Sequence, residues 1–353
     1  MMQDTQTQQC TNNSTNNSRP IVWSIAASDS GGGAGIQADL KTIHSLMCHG
    51  CTVITAITAQ NSLAVEKILP LSTLDLSAQW QALAQDLAPK AIKVGLLPTP
   101  DTLSWLAAQL EKIRRSQNIF CVWDPVLKAS TGAQIAATFT RAEIDSLLQQ
   151  IDLITPNLQE AERLTAINIQ SFADIESAAQ QLLARGVKHV LIKGGHSFND
   201  DPVCRDYYAS QDHSFWLTHA KQDQVHNHGT GCTLASAIAS FVAQGSTLSD
   251  SLVLANRYIQ QALRLAAPQG QGAGPVWQGA LENQPADLCE LIKNREQLLK
   301  PDLPAFPRAE KLGLYAIVNS LDELQRLMAQ GINTFQWRDK GLASVTEQAP
   351  SEQ

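Results

Sequence analysis

The chain has 353 residues, of which 44% are apolar and 17% charged, with a formal net charge of −7. At ~100–200 residues per domain this length allows one large domain with an appendage, or two domains, around a sizeable core. No dense basic stretch is present, which argues against nucleic acid as the main partner, and no run of ~18 apolar residues offers a membrane span. The seven cysteines, at 10, 48, 51, 121, 204, 232 and 289, are scattered; 48 and 51 lie three apart but have no second pair to complete a zinc site. They read as free thiols of a reducing, cytoplasmic compartment.

In chain order, residues 1–18 are rich in Gln, Asn, Thr and Ser and lack an apolar core, so they read as a disordered arm and not as a signal peptide. Residues 21–26 form an apolar run that enters a glycine cluster, and 35–46 follow as a helix. Strand patterns then recur at 51–57, 91–94, 119–123, 153–155 and 189–193, separated by helical spacing at 76–87, 102–113, 159–164 and 175–184. Two longer helices are predicted at 232–244 and 248–266. Strands alternating with helices imply an α/β fold with a mostly parallel sheet covered on both faces. Ligands of such sheets gather at the carboxyl ends of the strands, where the glycine and polar clusters of this chain fall. Residues 301–307 carry three prolines and look like a tether; beyond it 313–318, 321–330 and 334–337 read as strand, helix and strand.

The run His228-Gly229-Thr230-Gly231-Cys232-Thr233 stands directly before a helix rich in Ala and Ser. Glycines there let an anion approach the backbone, and the amides of the first helical turn, with the helix dipole behind them, make an anion hole. A short Gly-x-Gly before a helix is also a common packing device. Cys232 in the first turn is placed to favour a thiolate, and it reads equally as a small buried apolar residue. Asn157 followed by Glu160 has the spacing of a helix-capping pair.

Several ordered motifs add to this reading. Residues 28–42 (Ser-Asp-Ser-Gly-Gly-Gly-Ala-Gly-Ile-Gln-Ala-Asp-Leu-Lys-Thr) and 55–61 (Thr-Ala-Ile-Thr-Ala-Gln-Asn) come first. They are followed by Lys93-Val94-Gly95-Leu96-Leu97, Asp124-Pro125-Val126, Thr155-Pro156-Asn157-Leu158-Gln159-Glu160, Ile192-Lys193-Gly194-Gly195-His196 and the 228–233 run. Together they resemble bacterial hydroxymethylpyrimidine/phosphomethylpyrimidine kinases, which have a ribokinase-like, three-layer α/β/α fold.

The resemblance implies that Mg-ATP phosphorylates 4-amino-5-hydroxymethyl-2-methylpyrimidine, and then its monophosphate, in thiamine biosynthesis. It implies Cys232 as the base, with Gly229, Thr230 and Gly231 around the transferred phosphoryl group. Asp39, Gln60, Gly35 and Val126 would meet the pyrimidine. Lys193, Asp124, Asn157, Glu160 and Thr230 would meet ATP and its phosphates, with Asn157 and Glu160 reaching Mg2+ through water. A homodimer is implied as well. The related alternative is a pyridoxal or pyridoxine kinase; a domain that binds the pyrimidine without turning it over is a third reading, opposed by the intact Cys232 loop.

The chain departs from the family at Ala27, where Gly is usual and where a methyl is expected to narrow the pyrimidine pocket. It departs again at Ser30-Gly31, Leu127, Ser130 and Val225-His226-Asn227. Residues 312–318 together with Gln336-Trp337-Arg338-Asp339-Lys340 resemble the start of thiamine phosphate synthase, whose Gln336, Arg338 and Lys340 counterparts bind pyrophosphate. A whole barrel needs ~250 residues, so the segment is expected to be vestigial. The expected organisation is an arm at 1–19, a kinase domain at 20–290, a linker at 291–311 and a truncated synthase-like segment at 312–353.

Overall fold

The computed structural model describes residues 18–126, 138–195 and 202–282, parts of 284–298, and three elements beyond, at 315–318, 321–329 and 334–337. The expected arm, the 127–137 loop with Leu127 and Ser130, His196, the proline-rich tether, Arg338 and Lys340 lie outside the described residues. The chain divides into two compact units, residues 1–295 and 296–353.

In the first unit β1 (Ile21–Asp29) leads into α1 (Gly35–Ser45), then β2 (His49–Gln60), β3 (Val65–Pro70) and α2 (Thr73–Asp86). Next come β4 (Ala91–Val94), α3 (Pro100–Arg114), β5 (Phe120–Trp123), α4 (Arg141–Leu148) and β6 (Leu153–Ile154). The chain continues through α5 (Leu158–Thr165), α6 (Phe172–Ala184), β7 (His189–Ile192), β8 (Val203–Ser210) and β9 (Ser214–Ala220). It is completed by α7 (Thr230–Ala243), α8 (Leu248–Arg264) and β10 (Glu290–Ile292), and a short α9 (Arg295–Leu298) spans the residue boundary between the two units. All ten strands form one sheet in the order β10-β9-β8-β7-β6-β5-β4-β1-β2-β3. From β7 to β2 every neighbouring pair is parallel, while β3 at one edge and β8, β9 and β10 at the other are antiparallel. Leu291 and Ile292 pair with Leu217 and Trp216, so the expected linker begins inside the sheet.

Side chains alternate between the two faces of a strand, and β1 shows what each face meets. Val22 joins a core with Ala91, Val122, Leu153 and Leu191 of neighbouring strands and with Leu234, Ile238 and Leu252 of α7 and α8. Trp23, next along, turns the other way and packs edge-on against Trp80 of α2, which packs in turn on Trp105 of α3. Helix α7 contacts β1, β4 and β5 as well as α1 and α8, and its residues from Cys232 to Phe241 are all buried. Its run of Ala and Ser is what lets a helix sit between the sheet and two other helices. Several helix starts are set locally: the Ser72 and Thr99 side chains accept the third amides of α2 and α3, and Thr140 with Glu143 closes a reciprocal capping box on α4. Among the described residues, no helix is long and apolar enough to cross a membrane.

The second unit contains β11 (Tyr315–Val318), α10 (Leu321–Ala329) and β12 (Thr334–Trp337), with the two strands paired in parallel. This is the β-α-β piece expected from the sequence, and Gln336 lies in its second strand.

Candidate active site

Because the central strands are parallel, the residues that close them arrive at one edge of the sheet. Asp29 ends β1, Gln60 ends β2, and Gly95, Asp124 and Lys193 follow β4, β5 and β7 directly. Asn157, just after β6, bridges to Lys193.

The first glycine loop is wound around the carboxylate of Asp29. Oδ1 accepts the amide of Gly31 at 2.7 Å, and Oδ2 accepts those of Gly33 and Ala34 at 3.1 and 2.8 Å. His228 Nε2 approaches Oδ2 at 3.3 Å from the second glycine loop. Burial pushes the Asp29 carboxyl up, but His228, the amides of Ala34 and Gly31 and the Gln60 side chain outweigh it and hold the pKa at about 2. Gln60 is tied further: Ser30 Oγ donates to its carbonyl at 2.7 Å and accepts its amide at 2.8 Å.

The second loop delivers the start of α7. Gly229 caps this helix at φ 82°, where a β-carbon is disfavoured, and a side chain there would run into the carbonyl oxygen of Gly33. Having no side chain, Gly229 leaves the first-turn amides without a side-chain acceptor. A β-carbon on Gly231 would stand 2.9 Å from Asp124 Oδ2 and 3.2 Å from Lys193 Nζ. Lys193 Nζ donates to Asp124 Oδ1 at 2.6 Å, and the pair is mostly enclosed. Burial pushes the Lys193 ammonium down, and the charges of Asp124 and Glu160 more than offset it, so its pKa rises. The fold thus brings Gly229, Thr230, Gly231, Asp124 and Lys193 together in a cradle of backbone amides beside a lysine.

Cys232 is buried next to this cradle, with the Gly35 amide donating to its sulfur. Burial raises its thiol to a pKa of about 11, against the nearby charge of Lys93. The expectation that the helix start alone would favour a thiolate is therefore corrected: desolvation wins at this site.

Asp39 also differs from expectation. It is fully enclosed, and its oxygens accept from Ser24 Oγ at 2.5 Å, Lys93 Nζ at 2.8 Å and Ser236 Oγ at 2.8 Å. Ser24 and Lys93 are register partners on β1 and β4, and Ser236 lies one helical turn beyond Cys232. Asp39 therefore holds strand, lysine and helix together. The Ala27 methyl is likewise buried, in a cluster with Ala56 and Leu96.

Asn157 and Glu160 form a full capping box on α5: Oδ1 of Asn157 accepts the Glu160 amide at 2.9 Å, and Oε2 of Glu160 accepts the Asn157 amide at 2.8 Å. Glu160 is buried and close enough to Lys193 to raise it. Val126 turns back at once, its amide donating to the Asp124 carbonyl at 2.8 Å, and it is half-buried.

Two residues at this edge were given no role from the sequence. Asp29 lies inside a glycine-rich signature, where the glycines draw attention and the acid that organises them does not. Lys93 is the only charged residue of a buried strand, and that misfit was the available signal.

The fold is that of the ribokinase-like small-molecule kinases. The pyridoxal kinase of Staphylococcus aureus in complex with AMP-PCP and pyridoxal matches with a TM-score of 0.67 at 28% identity, covering 78% of this chain and 98% of its own. A phosphomethylpyrimidine kinase from Clostridium difficile 630 matches with a TM-score of 0.60 at 33% identity, covering 69% and 99%. Within that class the chain belongs to the phosphomethylpyrimidine kinase family, whose profile matches residues 29–277.

Among its relatives, the hydroxymethylpyrimidine/phosphomethylpyrimidine kinase of Bacillus subtilis is 38% identical over 253 residues, 71% of this chain and 92% of its own length. A thiamine biosynthesis bifunctional protein of Geobacter sulfurreducens is 40% identical over 262 residues, 73% of this chain. That match spans only about half, 52%, of the bifunctional protein.

Proposed function

We propose that this protein transfers a phosphoryl group from Mg-ATP to the hydroxymethyl oxygen of 4-amino-5-hydroxymethyl-2-methylpyrimidine, and then a second one to the monophosphate, in thiamine biosynthesis. The observation that carries the reading is the cradle at Gly231, which any side chain would fill and which Lys193 and the start of α7 face. Phosphoryl transfer depends mainly on positioning and charge neutralisation, and these groups supply both. The amides of the Gly229–Cys232 turn receive the oxygens of the migrating group, and Lys193 adds a positive charge beside them. Asn157 and Glu160 hold Mg2+ through water, and the ion contributes charge neutralisation on the phosphates. Their capping box fixes both side chains for that task.

Cys232 takes the hydroxymethyl proton as the thiolate, after the thiol has given up its own proton to solvent. Its thiol is protonated at neutral pH in this geometry, and Lys93 is the neighbour that favours the thiolate. Asp39 is assigned to hold Lys93 and α7, and not to read the ring. The Gln60 amide donates toward Asp29, which leaves its carbonyl oxygen as the acceptor for the ring amino group. Gly35 and Val126 line the same approach. We assign segment 312–353 no part in the kinase reaction; the pyrophosphate role of Gln336, Arg338 and Lys340 remains a property of the family it resembles. The six described cysteines are all free, which supports a reducing, cytoplasmic setting.

The likeness to pyridoxal kinases favours one second reading, phosphorylation of vitamin B6 compounds by the same cleft. Parallel assays with ATP and either the hydroxymethyl-pyrimidine or pyridoxal separate the two. Turnover of the pyrimidine at the higher kcat/KM supports the proposal, and turnover of pyridoxal alone overturns it.

A further inference from the structure

Away from the cleft, the antiparallel edge of the sheet gathers three side chains that ligate metals. Cys204 and His219 face each other across the β8–β9 pair, and Asp206 follows two residues after Cys204 on the same face. One donor atom from each lies within 4.8 Å of the other two. Cys204 and Asp206 are buried and His219 is partly exposed at its strand end, so the cluster is shielded on one side and open to entry on the other. Cys289 comes one residue before β10. The pairing of Glu290 with Thr218 sets Cys289 opposite His219, and it packs against the same core. Cys289 is thus a neighbour of the cluster, but its sulfur is not among the donor atoms that lie within 4.8 Å of one another.

The supports around the cluster are in place. The Asp206 carboxylate is oriented by the Gly194 amide at 2.9 Å and by Asn256 Nδ2 at 3.2 Å. His219 Nδ1 lies 3.1 Å from the Ala220 carbonyl oxygen, a contact that holds the ring. Ligating groups held in this way are the usual companions of bound transition metals. Asn256 itself is buried, and its Oδ1 has no hydrogen-bond partner. A buried carboxylate beside a buried thiol, with no positive side chain bonded to it among the described residues, is a poor arrangement unless a cation neutralises it.

We propose that Cys204, Asp206 and His219 form a binding site for a thiophilic divalent cation of the Zn2+ type, with solvent completing its coordination. Sulfur and imidazole donors select such ions over Mg2+, which prefers oxygen alone, so this site is distinct from any that serves ATP. Binding forms a sulfur–metal bond and releases the Cys204 thiol proton to solvent. The Asp206–Gly194 hydrogen bond places the site one residue away from Lys193, on the turn that carries this lysine to the phosphate cradle.

The test is a titration of the purified full chain with Co2+, read by the thiolate-to-cobalt charge-transfer band and the visible bands of a tetrahedral ion, followed by displacement with Zn2+. One Co2+ per chain is expected. Cys204→Ser should remove the charge-transfer intensity or sharply reduce it. His219→Ala, at a partly exposed strand end, should weaken binding by roughly 10–100-fold or more, as loss of even a supporting partner does. Cys232→Ser should leave the band unchanged. Circular dichroism on each variant confirms folding. No charge-transfer band in the wild-type chain, or a band that survives both Cys204→Ser and His219→Ala, would overturn the proposal.

Discussion

His228 Nε2 lies 3.3 Å from Oδ2 of Asp29, so one contact joins two glycine loops that are 199 residues apart in sequence. The first loop wraps its amides around this carboxylate, and the second carries the start of α7, so their alignment depends on Asp29.

The charge on Asp29 should therefore appear in the acid stability of the fold. Its folded pKa of about 2 lies below the ordinary 3.8, so the stabilisation is complete above about pH 4 and is lost as pH falls toward 2. That lowering corresponds to roughly 2 kcal/mol. Asp29→Asn should lose about that much stability at pH 7 and show a flatter Tm profile between about pH 4 and 2 than the wild type. Thermal melts across that range measure it, and parallel profiles for the two proteins would count against the organising role of Asp29.

Cys232→Ala should fold normally, since the thiol is a small buried group, and lose on the order of 10²–10⁴-fold in turnover. With the thiol near pKa 11, only about one molecule in 10⁴ carries the thiolate at pH 7. Wild-type kcat should accordingly climb by roughly tenfold per pH unit above neutrality while the base step limits the rate. Lys93→Met should displace that climb to higher pH, because it removes the nearest positive charge. A flat profile from pH 7 to about 9, with unaltered turnover in Cys232→Ala, would remove Cys232 from the reaction.

At Gly231 a single methyl group suffices for a test. Alanine would bring a β-carbon to 2.9 Å from Asp124 Oδ2 and 3.2 Å from Lys193 Nζ, filling the cradle at little cost to the helix. Gly231→Ala should melt within a few degrees of the wild type and lose most of its phosphoryl transfer. Gly229→Ala, at φ 82° and against the carbonyl of Gly33, should be destabilised outright, by about 1 kcal/mol or more. Comparing Tm with turnover for the two variants separates a site residue from a fold residue. Full activity in Gly231→Ala would argue that the phosphoryl group passes elsewhere.

Gln60→Ala should weaken binding of the pyrimidine by ~1–3 kcal/mol, the usual consequence of leaving polar atoms unpaired, with little change in ATP affinity. Calorimetry on the two ligands separately measures this. Equal losses for both would point to a general change of the site and not to loss of a ring contact, since the Ser30 tie uses the main chain of Gln60 and survives the substitution.

Much of this architecture was legible in the sequence. The alternation of β-branched runs with helical spacing located β1, β2, β4 to β7 and helices α1 to α3 and α5 to α8 to within a few residues. Parallel strands then required Asp124, Asn157 and Lys193 to meet at one edge, as they do. The hairpin β8–β9 was not legible: its turn at Gln211-Asp212 lacks the Asn-Gly or Gly-rich signal that marks a tight reversal. Nor was β3, an edge strand of six residues with two charges that ends in proline. In the site, residue types were readable but protonation and access were not. Asp39 sits in a motif that suggests a ligand, yet only the packing of Ser24, Lys93 and Ser236 shows its carboxylate to be enclosed. Cys232 sits at a helix start, yet only its burial shows the thiol to be raised.

The central expectation is that one cleft phosphorylates the pyrimidine twice. Mass spectrometry of the products formed when the purified chain is incubated with Mg-ATP and 4-amino-5-hydroxymethyl-2-methylpyrimidine tests it most directly. The monophosphate should form first and then the pyrophosphate, with both products lost together in Gly231→Ala. Unchanged pyrimidine after full incubation, with a folded protein and intact ATP, would contradict it.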